Sequence, residues 1–474
     1  MESSYFCVFK GARLFLSLQI LMICFMHKGH TYGVEGKIAS LTASISSLMP
    51  SPSCSPSTSK ASSRKSTLEV IHKYGPCSHL VQGPNPLNHT KLLLQDESRV
   101  KWIQSQSSNS GDGLEGSAAA RLPARSGVTI GTGNYVVTIG LGTPKTDLTL
   151  EFDTGSRLTW TQCEPCTGSC YNQAEPLFNP SQSSSYANIS CTSTSCSQLG
   201  HYSGCSGTTC LYSIRYGDQS TTAGFFATEK LTLTPTEVIN NFEFGCGQDN
   251  QGLFGRAAGL MGLSDDKISI VHQTAAKYGK YFSYCLPSSS SSTGYLTFGK
   301  DSGTSSSVSF TPLSKVPQGA QFYGISIEGI SVGGTPLSIP STVFSSGGAI
   351  IDSGTVITRL PPTAYSAMRD AFRTAMAKYT TAPAFSLFDT CYDFSKESIV
   401  EVPLITFSFA GGVKVHLDFS GMFYFIKASQ ICLAFAANSA DSNLGIYGNT
   451  QQKTFDVVYD VAGGKLGFGS NGCS

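Results

Sequence analysis

Charge is scarce in this chain. Only 13% of its 474 residues are Asp, Glu, Lys or Arg, about half of the usual level near 25%. A surface rich in Ser, Thr and Gly changes its net charge little as pH falls, so acid should cause less self-repulsion than usual. No apolar tail follows Phe468, which argues against a lipid-anchored form. The apolar run near the start, Leu14 to Met26, is too short to span a bilayer as a mature helix. Cys163-x-x-Cys166 has zinc-ligand spacing, but no His-x-His and no second C-x-x-C accompanies it, so a metal site is not expected. The part after residue 126 carries 19 cationic against 24 acidic side chains and no basic stripe. That argues against strong phosphate contact, and nucleic acid is not an expected partner.

What is present is unevenly arranged. Residues 1 to 126 carry 13 cationic against 7 acidic side chains, so a basic leader precedes an acidic body. The two attract at neutral pH and loosen as carboxylates protonate. Lys10 and Arg13, the short apolar run and the small polar residues after it have the form of a secretory signal peptide. A chloroplast transit peptide competes, because Ser40 to Ser66 is Ser-rich and free of acidic residues. Sixteen Cys, four before residue 126 and twelve after it, favour secretion and a disulfide framework. Seven of them crowd between Trp160 and Tyr212. Residues 35 to 66 show no periodic pattern and read as disordered. Leu68 to Ser78 is strand-like, Leu92 to Gln104 can form a short helix, and Ser105 to Ser117 is again irregular. Gly133 to Gly142 alternates as a strand does. Pro362 to Tyr379 reads as a helix, with Pro at its start and Ala367, Phe372, Ala375 and Met376 mostly on one side. Asn88-His89-Thr90 and Asn188-Ile189-Ser190 have the form of glycosylation acceptors.

Two tetrapeptides stand out. Asp153-Thr154-Gly155-Ser156 follows Leu148 to Phe152, and Asp352-Ser353-Gly354-Thr355, 199 residues later, follows Gly347 to Ile351. Each puts a carboxylate on a tight Gly turn at the end of a buried strand. A single copy would read as an Asx or ST turn. A matching segment follows each: Gly259-Leu260-Met261-Gly262-Leu263, and Gly445-Ile446-Tyr447-Gly448-Asn449. Tyr212 to Phe225 forms a hairpin pattern whose Tyr216-Gly217-Asp218 tip suits a turn.

This duplication resembles the pepsin-like aspartic proteases, whose two β lobes each contribute one such Asp and one hydrophobic-hydrophobic-Gly segment to a shared centre. The cysteine-rich insertion is similar to that of the nepenthesin-type plant enzymes, and the chain also resembles the plant subgroup described as chloroplast nucleoid DNA-binding proteases. The resemblance implies an all-β, bilobal fold with pseudo-twofold symmetry and few short helices. It implies a signal peptide at 1–30, a partly disordered propeptide at 31–125, an N-terminal lobe with the insertion and a flap at 126–315, and a C-terminal lobe at 316–474. Asp153 and Asp352 would be the catalytic pair of a secreted acid endopeptidase made as a zymogen, the alternative being a non-catalytic protein- or DNA-binding homologue of the same fold. Thr154 and Ser353 would tie the two loops together, Gly155 and Gly354 would form the turns, and Ser156 and Thr355 would donate to the outer carboxylate oxygens. Ser353 stands where Thr is commoner, and the hydroxyl chemistry survives that departure. Tyr216, Gly217 and Asp218 would form the flap, with Trp160 hydrogen-bonded to Tyr216, and Cys391 would pair with Cys432. No cofactor and no metal is implied. The expected partners are a peptide or protein substrate and the chain's own propeptide as an inhibitor, on a monomer that is secreted or else sent to vacuole or chloroplast.

Overall fold

The computed structural model describes residues 39–57, 65–81, 87–108, 135–216, 220–252, 254–300, 308–316 and 321–473. The expected signal peptide, the processing region at 121–126 and the flap-tip residues Gly217 and Asp218 lie outside them.

Short β-branched and aromatic runs broken by Gly and Ser make the protein mostly β, in two lobes of like design. Three pieces of the leader take part in that fold. The stretch 35 to 66, read as disordered, is ordered in part: strand β1 (Ser40–Ser44) pairs with the edge of a strand in the second lobe, because the neighbouring strand's backbone supplies the pairing that the stretch's own pattern does not announce. Strand β2 (Thr67–His72) enters the largest sheet, and α1 (His89–Ser108) is a helix of 20 residues. In the first lobe β3 (Tyr135–Leu141) runs antiparallel to β4 (Thr146–Asp153), with Val136 opposite Glu151. Next come β5 (Trp160–Gln162), the hairpin of β6 (Thr209–Arg215) and β7 (Thr221–Thr234), β8 (Gly259–Gly262) and β9 (Thr293–Phe298). β8 lies parallel to β4 and sets Gly262 opposite Asp153.

The second lobe repeats the plan. β10 (Ala349–Ile351) runs parallel to β13 (Gly445–Tyr447), and β11 (Thr358–Leu360) meets β13 on its other side. Between them in sequence lie α2 (Pro362–Ala375) and β12 (Ile399–Pro403), the strand that β1 covers.

β2 is not an edge strand. It pairs antiparallel with β9 on one side, Leu68 opposite Leu296, and with β3 on the other, His72 opposite Tyr135. The leader therefore supplies a strand that lies between two others, paired along residues 67–71 on the β9 side and at Ile71 and His72 on the β3 side.

The helix read at Pro362 to Tyr379 ends at Ala375, and its buried face differs from the one expected. Ala364, Tyr365, Met368 and Phe372 face the core, with Met376 just beyond, whereas Ala367 is half-buried and Ala375 exposed. Spacing by three and four places Tyr365, Met368 and Phe372 in one stripe, and the large side chains take it. Seven disulfides join described cysteines. Cys163 bonds Cys246 and Cys166 bonds Cys170, so the C-x-x-C pair offers no thiolates to a metal. Cys391 bonds Cys432.

Candidate active site

Asp153 ends β4, and Asp352 follows β10 directly. Both carboxylates are buried, at 1% and 0% exposure. Each turn is fixed by its own strand neighbours: Leu263 N–H donates to the Asp153 carbonyl at 2.9 Å, and Asn449 N–H donates to the Thr355 carbonyl at 2.7 Å. Gln452 Nε2 donates to the Asp352 carbonyl at 3.2 Å and Asn449 Nδ2 to the Ser353 carbonyl at 3.0 Å.

The two loops then lock to each other reciprocally. Thr154 N–H donates to Ser353 Oγ at 3.0 Å, and Ser353 N–H donates to Thr154 Oγ1 at 2.9 Å. The glycines permit that approach. A methyl group at Gly155 would come within 2.8 Å of Asp352 Oδ1, and one at Gly354 within 2.4 Å of Asp153 Oδ1. Every inner and outer carboxylate oxygen is held. Gly155 N–H donates to Asp153 Oδ1 at 2.9 Å and Ser156 Oγ to Asp153 Oδ2; Gly354 N–H donates to Asp352 Oδ1 at 3.3 Å and Thr355 Oγ1 to Asp352 Oδ2 at 2.6 Å.

Over this pair sits Arg99 from α1. Its guanidinium donates to all four oxygens: Nη2 to Asp153 Oδ1 at 2.7 Å and Asp352 Oδ1 at 3.0 Å, Nη1 to Asp153 Oδ2 at 3.0 Å, and Nε to Asp352 Oδ2 at 2.9 Å. Burial works to raise both carboxyl pKa values. For Asp153 the Arg99 charge and the Ser156 and Gly155 donors win, and its pKa falls below the ordinary value. For Asp352 burial and the Asp153 charge outweigh Arg99, and its pKa rises. Two joined carboxyls pushed apart in this way can act as base and acid at one pH.

The rest of α1 lines the same groove. Leu93 packs with Val356, Ile357 and Phe388, and Val100 and Ile103 pack with Phe322, Ile350 and Leu444. Asp96 pairs with Arg359 at 3.0 Å, and Lys73, just after β2, pairs with Glu151 of β4 at 2.5 Å. Trp160 Nε1 donates to Tyr216 Oη at 2.8 Å at the top of the β6–β7 hairpin, and Phe254 packs edge-on to both rings. Sequence reasoning did not single out Asp96, Arg99, Glu151, Arg359, Asn449 or Gln452. The signal for the first two was present: Leu92, Asp96, Arg99 and Ile103 fall on one helical stripe, so two charges interrupt an apolar face and need buried partners.

Residues 135–300 match the family model described as xylanase inhibitor N-terminal, and residues 322–470 the one described as xylanase inhibitor C-terminal. The chain is 52% identical over 463 residues to an aspartyl protease family protein of Arabidopsis thaliana, covering 96% of this chain and 98% of that one. It belongs to the pepsin-like aspartic protease family. Within this protease family it is also 51% identical over 468 residues to Aspartyl protease AED1 of Arabidopsis thaliana, covering 97% and 99% of the two chains. Aspartic proteinase nepenthesin-2 of Nepenthes gracilis is 38% identical over 357 residues, 73% of this chain and 79% of that one. The solved structure of edgp shares the fold at TM-score 0.60 and 21% identity, covering 72% of this chain and 93% of that one.

Proposed function

We propose that this protein is a secreted aspartic endopeptidase made as a zymogen. The observation that carries the reading is the leader's Arg99 spanning Asp153 and Asp352, two carboxylates from sequence-distant but equivalent loops. An active centre of this kind holds a water between the carboxylates. Whichever carboxylate is ionised takes a proton from the water as it attacks a peptide carbonyl, and its protonated partner donates to the oxygen that gains charge. Arg99 fills the place of that water and of the substrate, so the chain with its leader docked is inactive. Leader removal opens a groove for an extended peptide, which Tyr216 covers and orients while excluding water. The seven disulfides support maturation in an oxidising compartment, outside the cell or on the way there.

The test is to incubate the acid-treated protein with a denatured protein at about pH 3 to 5, the range where one of two such carboxyls is protonated. Fragments should appear with the natural sequence and disappear with Asp352→Asn. Cleavage that survives the substitution overturns the assignment. The family model's description favours a second reading, a member that binds a protein without cutting it. Against it stand both complete glycine turns and the Trp160–Tyr216 hydrogen bond, which binding alone does not require.

A further inference from the structure

Seven positions past Asp352, β11 carries Arg359, a cation at 2% exposure in the wall of the groove. Charge that deep needs a partner. Arg359 Nη1 donates to the Ile357 carbonyl at 2.9 Å, which sets the guanidinium plane. Its carboxylate comes from the leader: Asp96 Oδ2 lies 3.0 Å from Arg359 Nη2. The same Asp96, at 0% exposure, accepts from Val356 N–H at 2.5 Å and Ile357 N–H at 3.2 Å. Glu97 lies farther off, its Oε2 3.6 Å from Arg359 Nη2, and is half open to solvent. One anion is thus grasped by two successive backbone donors and a guanidinium. Both backbone donors and the cation, which meets Asp96 as an ion pair, belong to residues 356–359, beside Asp352; only the anion belongs to the leader.

We propose that residues 356–359 form a carboxylate-binding subsite of the mature groove, and that the enzyme selects peptides bearing an Asp or Glu side chain there. This rests on the endopeptidase reading above, since it needs the leader to leave. Departure of α1 takes away the partner of a cation held too deep to be fully hydrated, together with the acceptor for two backbone donors. An acidic substrate residue restores all three contacts, and an amide restores only some of them without charge. The leader, on this view, docks as a substrate side chain would.

The experiment uses full-length protein cut at Arg121 or Arg125 by limited trypsin treatment, with the leader then removed in acid. Peptides with blocked ends carry one Asp at each position from four before to four after the cut, each compared with its Asn twin. At one position Asp should raise kcat/KM by about 10- to 100-fold over Asn, the range expected for a charge-assisted contact to a buried cation. Arg359→Met should erase that preference, so that the Asp and Asn peptides are cut at equal rates whatever the overall rate, and Arg359→Lys should keep part of it. Equal rates for every pair in the natural protein overturn the subsite, with no variant needed. So does a preference that persists in Arg359→Met. Absence of all cleavage would instead refute the endopeptidase reading. Fluorescence anisotropy with reduced-bond, uncleavable versions of the Asp and Asn peptides then decides the subsite by itself: tighter Asp binding supports it, and equal binding ends it.

Discussion

Replacing His72 with glutamine should take about one proton out of the pH dependence of leader release. His72 ends β2, opposite Tyr135, with the two rings edge to face at 5.4 Å. Its Nδ1 accepts the Tyr74 N–H at 3.3 Å, which requires an unprotonated nitrogen. Burial, and then the charges of Lys453, Lys73 and His89, push its pKa down from 6.5 to about 3. The docked strand therefore favours neutral imidazole, and the released strand can take a proton at the ordinary value. Docking is at full strength above pH 6.5 and weakens as pH falls toward about 3, by at most about 1.4 kcal/mol per pH unit. At pH 5 the penalty would be about 2 kcal/mol for a fully enclosed ring; His72 keeps some contact with solvent, so about 1 kcal/mol, or fivefold in affinity, is the working figure. Glutamine can accept the same hydrogen bond but does not titrate. The assay is retention of the cut leader by size-exclusion chromatography from pH 7 to 4, in natural and His72→Gln protein. Lost packing would shift both ends of the curve equally, whereas loss of the titration flattens its slope between them. An unchanged slope would refute the reasoning.

Arg99→Gln should weaken leader retention at pH 7 by about 30- to 100-fold, because one partner of a buried ion pair is removed while two carboxylates recover part of the loss by sharing a proton. The same chromatography at fixed pH reads it, and retention within threefold of the natural protein would mean that the apolar contacts of Leu93, Val100 and Ile103 hold the helix unaided. Tyr216→Phe removes the acceptor for Trp160 Nε1, costing about 1 kcal/mol of flap order. kcat/KM on a neutral peptide should fall about fivefold with thermal stability unchanged, and a lowered melting temperature at equal activity would make Tyr216 a plain core aromatic.

Much of this site was legible because its signals are local. Asp153 and Asp352 sit in tetrapeptides whose meaning lies within four residues, and Gly259 to Leu263 and Gly445 to Asn449 repeat at comparable distances. The β6–β7 hairpin announced itself by a turn between two alternating runs. The leader was only half legible. Leu68 to Ser78 reads as a strand, but no local pattern tells an interior strand between β3 and β9 from one added at an edge, since the two differ only in what lies beyond the chain's own neighbours. Arg99 belongs to the polar run Gln95-Asp96-Glu97-Ser98-Arg99, so its place on the apolar stripe with Leu92 and Ile103 marks it as needing a buried partner without saying which. Its partners lie 54 and 253 residues away. Arg359 hid differently: Thr358, Arg359 and Leu360 are all buried, so the alternation that marks a strand with one face in solvent is missing.

Four buried ion pairs join leader and body among the described residues, and under the zymogen proposal their arrangement would make that contact firm at neutral pH and weak in acid. Lys73 meets Glu151, Arg99 meets Asp153 and Asp352, and Asp96 meets Arg359. Apolar contacts such as those of Leu93 and Ile103 do not sense pH, so alone they would hold the leader equally well everywhere. Buried ion pairs contribute little net stability while intact, because desolvation offsets most of the attraction, yet breaking one costs about 3–5 kcal/mol by stranding a charge. Protonation breaks them from the carboxylate side. Asp352 and Asp96 both stand above the ordinary range and Asp153 below it, so Asp352 takes its proton before Asp153 as pH falls, and the charge facing Arg99 then drops from two to one. The scarcity of surface charge sharpens this response. With 13% of residues charged, the exposed surface has little to titrate, and the pH at which leader and body part is set by a few buried groups along the groove and beneath β2. A body with ordinary surface charge would begin to repel itself over the same range, and release of the leader would blur into unfolding.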